Sequence, residues 1–197
     1  MSARKEILAA VRKGGGTRRA PTGYAPPRFE SLAETFVANA KHSYAIVHEL
    51  ASDKEVPSAI AAILAGANAR MRLHLPEGSN LLSLNWSAAP LLEIAMTPPS
   101  GEDSSASEAD CAIAETGTVA FLSGKARPSS WHFLSGREIV LVRRSQLVGT
   151  LEEMFAKLDA MPATLNLVTG PSRTGDIEQT MERGAHGPRE IHILLLP

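Results

Sequence analysis

The chain has 197 residues, 44% of them hydrophobic and 5% aromatic, with a formal net charge of -1. That length and apolar content support one ordinary domain with an aliphatic core, and the near-neutral charge argues against nucleic acid or an anionic membrane surface as main partner. A single cysteine, Cys111, excludes an internal disulfide and a cysteine-ligated iron–sulfur cluster held by this chain alone, since such a cluster takes about four thiolates. Without a recognisable signal sequence or an apolar run long enough to span a bilayer, the expectation is a cytoplasmic protein with no membrane span.

Residues 2–13 predict a short amphipathic helix with Ile7, Leu8 and Val11 on one face, ended by three glycines at 14–16. Residues 17–28 hold arginines and breakers and read as a linker, so 1–28 is predicted to be a basic helix with a flexible tether. It is either a solvated arm or a docking arm for an acidic partner protein. The α/β domain is expected to run from 29 to 197.

Within it, the spacing of Phe29, Leu32, Phe36, Val37 and Ala40 predicts a helix over 29–41, followed by a strand at 44–48. An alanine-rich helix is expected at 56–66, and strands at 70–75 and 91–96. Residues 97–107, rich in proline, serine and glycine, read as loop, and 110–114 as a helical turn. Strands follow at 119–122 and at 138–142, where the run is β-branched. A helix is predicted over 147–160, a strand over 164–168, a helix over 177–183 capped by Asp176, and a buried closing strand over 190–196. Strands alternating with helices at this spacing predict an α/β fold: a three-layer α/β/α sandwich around a largely parallel sheet.

Two polar strings stand at predicted strand ends, where open α/β sheets bind ligands. The first is Glu115, Thr116, Gly117 and Thr118. Its carboxylate could act as base or nucleophile, while the glycine and hydroxyls equally fit a simple turn. The second runs from Gly170 to Glu178. Ser172, Arg173 and Thr174 precede a predicted helix N-terminus at Asp176, an arrangement able to cradle an anion or merely to cap a turn. Arg173 supplies the guanidinium suited to carboxylate or phosphate. His186 and Arg189, in the turn before the last strand, are the third candidate group. The remaining histidines lack metal-ligand spacing, so no metal site is predicted. No Walker or dinucleotide-binding glycine pattern occurs, and no Ser–His pair has triad spacing.

The segments 112–118, 169–178 and 184–189 together resemble the signature of the LUD-domain family, over roughly the whole span from Phe29 onward. Family members often carry a proline and a histidine before the strand at 138; here Leu134-Ser135-Gly136-Arg137-Glu138 stands instead. The resemblance implies a fold similar to the NagB/RpiA/CoA-transferase superfamily, with ligand chemistry at the strand ends. It also implies a part in L-lactate utilisation, oxidising lactate to pyruvate beside partner proteins that carry iron–sulfur clusters. No cofactor is then expected in this chain, which would hold a small carboxylate or phosphate. The expected ligand contacts are Thr116, Gly117, Thr118, Gly170, Ser172, Arg173, Thr174, Asp176, His186 and Arg189. Two alternatives stay open: a free-standing isomerase- or CoA-transferase-like enzyme using Glu115, and a purely structural protein.

Overall fold

A computed structural model describes residues 3–13, 25–124, 128–175, 181–183 and 187–197. Helix α1 (Ala3–Lys13) leaves Ile7 and Leu8 exposed. Helix α2 (Leu32–His42) begins where the Ser31 side chain accepts the Glu34 amide, and buries Phe36 and Ala40. Strand β1 (Ile46–Glu49) follows, then α3 (Val56–Gly66), with Pro57 in its first turn and Ile60 and Leu64 fully buried. β2 (Arg72–His74) and β3 (Glu93–Ala95) fall inside their predicted ranges.

The next two elements depart from expectation. Residues 104–107, read as loop, belong to strand β4 (Ser104–Glu108), which lies between two other strands of the main sheet. Its serines gave no hydrophobic signal because their hydroxyls are satisfied by neighbours rather than by water. Ser105 donates to Ser135 at 2.8 Å and Ser107 to Glu138 at 2.9 Å, while Ala106 packs into the core. Residues 111–113, read within a helical turn, form β5 (Cys111–Ile113), hairpin-paired with β6 (Thr118–Leu122). So short a run has no decisive local preference, and pairing decides it.

After a single helical turn, α4 (Trp131–Leu134), comes β7 (Arg137–Arg143). The long helix expected from 147 is shorter. Leu147–Val148 is strand β8, alongside β5, and α5 spans only Leu151–Ala156. Thr150 is extended and caps α5 by accepting the Glu153 amide, so helix cannot begin earlier. β9 (Leu165–Val168) leads to a hairpin of β10 (Arg173–Gly175) and β11 (Met181–Arg183). At 181–183, strand therefore replaces the predicted helix: Arg173 stands opposite Arg183, an extended pairing that no 3.6-residue pattern signals. The chain closes with β12 (Glu190–Leu196).

Six strands form one all-parallel sheet in the order β1-β12-β7-β4-β2-β3. β12 is buried on both faces, as the apolar run from Ile193 to Leu196 requires in a covered parallel sheet. On one face Ile139, Leu141, Leu194 and Leu196 pack with Ile60 and Leu64 of α3. On the other, Val140, Val142, Ile191, Ile193 and Leu195 meet Phe36 and Ala40 of α2 together with Ala112, Val119 and Phe121. Those last residues come from a second sheet of order β8-β5-β6-β9. α5 covers its outer side through Met154, against Cys111, Ile113, Ala120 and Val148. The predicted α/β sandwich is present, with a small mixed sheet sharing one layer with α2. No helix among the described residues is long and apolar enough to cross a membrane.

Candidate functional site

The two polar strings meet at the C-terminal end of α2. Asn39 donates its side-chain amide to the carbonyls of Ala114 at 2.8 Å and Glu115 at 3.0 Å, fixing the β5–β6 turn on the helix. Gly117 has a φ of +67° and lies so close to α2 that a Cβ would overlap the Ala40 backbone amide. Gly170, at φ +68°, packs in the same way on the Ser43 carbonyl. Both glycines are thus required by close backbone approach. Thr118 links the strings: its hydroxyl lies 2.6 Å from that of Thr116 and 2.6 Å from that of Thr169. The Ser172 amide donates to the Pro188 carbonyl at 2.8 Å, which brings in the third predicted group.

Arg173 lies with its guanidinium carbon 3.3 Å from the centroid of the Tyr44 ring, a stacked cation–π contact. Its Nε is buried and has no hydrogen-bond partner among the described residues. Beside Tyr44, a surface depression is lined by Lys41, Pro171, Arg189 and Glu190. Arg189 is exposed and paired with Glu102. Glu115 is half-buried, with its amide donating to the Gly149 carbonyl at 3.0 Å.

Thr116, Gly117, Thr118, Gly170, Ser172 and Arg173 are therefore neighbours, with Arg189 close by. They gather at the amino ends of β1 and β12 (the segments 43–45 and 187–189 lead into those strands), so the ends they occupy are not the carboxyl ends that open α/β sheets commonly use. Thr174 is paired within the β10–β11 hairpin, opposite Glu182. Asp176 and His186 lie outside the described residues.

A second polar cluster, which the sequence did not single out, lies between the two sheets. Glu138 is 1% exposed. Its Oε1 accepts from Ser107 at 2.9 Å and lies 2.5 Å from His132 Nδ1. Its Oε2 is buried without a partner among the described residues. His132 comes from α4 and stacks on Phe121 of β6, ring centroids 3.9 Å apart. Helix α4 thus delivers a histidine side chain to Glu138. The signal available in the sequence was a glutamate leading a strand otherwise wholly apolar, together with the serine run that became β4.

On the α3 side of the main sheet, Arg137 binds Glu190 at 2.8 Å and Ser104 at 3.3 Å, and His192 lies 3.1 Å from His48. Burial lowers the His48 pKa. It lowers that of His192 too, against Glu190, with His48 adding to the lowering. Glu190 is held below the usual carboxylate range: burial works against this, and the Arg137 hydrogen bond and charge prevail. No group of three or more His, Cys, Asp or Glu among the described residues could hold a metal ion.

The parallel sheet, its covering helices and the paired loops define an α/β sandwich protein. Within that class, residues 103–196 match the model of the LUD domain family. The chain is 33% identical over 87 residues to Lactate utilization protein C of Halalkalibacterium halodurans, covering 41% of this chain and 38% of that protein. It is 33% identical over 94 residues to Lactate utilization protein C of Geobacillus kaustophilus, covering 44% and 39% respectively. An uncharacterized protein of Neisseria meningitidis serogroup B is 34% identical over 98 residues, covering 48% and 42%. The match thus spans well under half the length of these relatives. Among solved structures, a DUF162 family protein from Deinococcus radiodurans superposes with a TM-score of 0.58 at 21% identity. That match covers 84% of this chain and 96% of the other, and shows a shared fold.

Proposed function

We propose that this chain is a non-redox component of an L-lactate utilisation system, binding a small carboxylate or phosphate beside Arg173. The observation that carries the ligand half is the Arg173 guanidinium, stacked on Tyr44 with a buried Nε that has no partner among the described residues. A guanidinium pre-oriented on an aromatic face loses little freedom on gripping a planar carboxylate. Lys41 adds positive charge at the neighbouring depression, where Arg189 is paired with Glu102. The lactate half is supported by the names of the relatives that match the LUD segment.

Electron transfer would fall to partner proteins carrying iron–sulfur clusters. Cys111 supports that division. It is the chain's one cysteine, buried, with its thiol donating to the Gln146 carbonyl, and burial pushes its pKa up, away from the thiolate a cluster needs.

Calorimetric titration of the purified chain with lactate, pyruvate and inorganic phosphate tests the ligand half. The expected result is saturable binding of at least one anion, weakened about tenfold or more in Arg173→Ala, the loss of a charge-assisted hydrogen bond. No saturable binding of any of the three overturns it. Co-purification from the native cell tests the assembly half, and recovery of the chain with no iron–sulfur protein overturns that. Turnover of a sugar phosphate or an acyl-CoA by the chain alone, lost in Glu115→Gln, would instead establish the isomerase- or transferase-like alternative.

A further inference from the structure

We propose that the outer edge of β1 takes up the C-terminal segment of another polypeptide as an added antiparallel strand, with the terminal carboxylate of that segment at Arg173. This deepens the ligand half of the proposed function and rests on it, the small carboxylate becoming the end of a peptide. Two observations carry it. First, β1 is an outer strand of the main sheet and pairs with β12 alone among the described strands. The Leu50 amide donates to the Leu195 carbonyl at 2.9 Å, so by the alternation of a strand the backbone groups of Ile46 and His48 also face β12. Those of Val47 and Glu49 then face outward, where they have no partner among the described residues. Such a row of N–H and C=O groups is a template for a further strand, and β1 carries neither the proline nor the lysine that commonly blunts an edge. Second, the guanidinium stands at the amino end of that edge. Tyr44, two residues before β1, is 60% exposed and holds Arg173 on its ring. The depression beside it is lined by Lys41 and by Ala45, Ile46 and Val47, so the Lys41 ammonium and the start of the edge share one wall.

The direction of the added strand follows from its ends. Antiparallel to β1, it finishes at the amino end of β1, where its carboxylate meets Arg173 and Lys41; a parallel strand would bring an amino terminus there, of the wrong charge. An antiparallel strand on the rim of a parallel sheet is a common arrangement. Val47 and Glu49 can each exchange an N–H and a C=O bond with one residue of the added strand. At ~3.4 Å per residue, about six residues reach from Glu49 back to Tyr44. Ile46 is 46% exposed, which favours an apolar, β-branched side chain next to it. Glu190, which also lines the depression, is bound by Arg137 at 2.8 Å.

Calorimetric titration of the full chain with the acetylated peptide KTVTVV, its C-terminal amide and N-acetylvaline tests the proposal. The free-carboxylate peptide should bind about tenfold tighter than either of the others, and Arg173→Ala should erase its advantage over the amide. Glu49→Pro removes an outward N–H that Glu49→Ala keeps, while both lose the pair with Arg144. The proline variant should therefore bind the peptide about fivefold more weakly than the alanine variant, with N-acetylvaline unaffected and circular dichroism confirming the fold. If the proline variant does not fold, the ranking of the three ligands in the unaltered chain decides. N-acetylvaline binding as tightly as the peptide would overturn the proposal and leave the Arg173 reading standing, as would binding of lactate or pyruvate without the peptide. Equal affinity for peptide acid and amide would also overturn it. No binding of any carboxylate would remove both readings. A dimer in sedimentation that Glu49→Pro dissociates would give the edge to a second copy of the chain, again overturning the proposal.

Discussion

Gly117→Ala separates a packing glycine from a ligand-loop glycine. The position combines a φ of +67° with an added Cβ that would overlap the backbone at Asn39 and Ala40. Forcing a non-glycine residue into the left-handed region costs about 1–2 kcal/mol. The overlap is with the main chain of α2, which cannot swing aside as a side chain would, and overpacking of this kind costs roughly 1–3 kcal/mol more. The expected loss is therefore about 2–5 kcal/mol, a large share of the roughly 5–15 kcal/mol that holds a domain folded. Urea unfolding at constant m measures it directly. For a chain of this size, a 3 kcal/mol loss would lower Tm by roughly 6–12 °C. Gly66→Ala is the control: it closes α3 with open space around it and no positive φ, and should stabilise by about 0.4–1 kcal/mol. A Gly117→Ala chain within about 0.5 kcal/mol of the parent, the range of an indifferent surface change, would refute the reasoning.

Three further outcomes are expected. Asn39→Ala strips the side-chain donor from the Ala114 and Glu115 carbonyls and should cost about 1–3 kcal/mol in urea unfolding, with α2 helicity retained. Phe36→Ala opens a cavity between the two sheets at a fully buried ring and should cost about 3–5 kcal/mol. Stability should fall on mild acidification. His48 and His192 titrate below their ordinary 6.5 in the folded chain, so the unfolded chain takes up protons first as pH drops. Their neutral forms favour folding above about pH 6.5, and the advantage shrinks as pH falls toward the folded values. Urea midpoints at about pH 7.5 and about pH 5.5 should differ less in His48→Gln/His192→Gln than in the parent, and an unchanged difference would remove these histidines as the cause.

Much of the fold was legible because the elements that bury most are also the most periodic. α2, α3, β7 and β12 carry their apolar residues at helical spacing or in concentrated runs, and each lies close to its expected range. The predicted site was partly legible. The strings at 115–118 and 170–173 do meet, through Thr118 and Thr169, but on the amino side of β1 and β12, and the glycines are explained by α2. Strand order alone could settle that. β1 and β12 are neighbours from opposite ends of the chain, and no local pattern predicts which loops they bring together.

By itself the sequence determined the α/β class, the aliphatic core, the lack of thiolates for a cluster and the family signature. Each of these is set by composition, period or short-range order. Only the tertiary structure decided that a run of serines is an internal strand, that a second sheet sits beside α2, and that His132 reaches Glu138. For the serine strand the physical reason is plain. Hydroxyls and carboxylates are indifferent to period and take their place from partners distant in the chain, as Ser107 and Glu138 do across 31 residues.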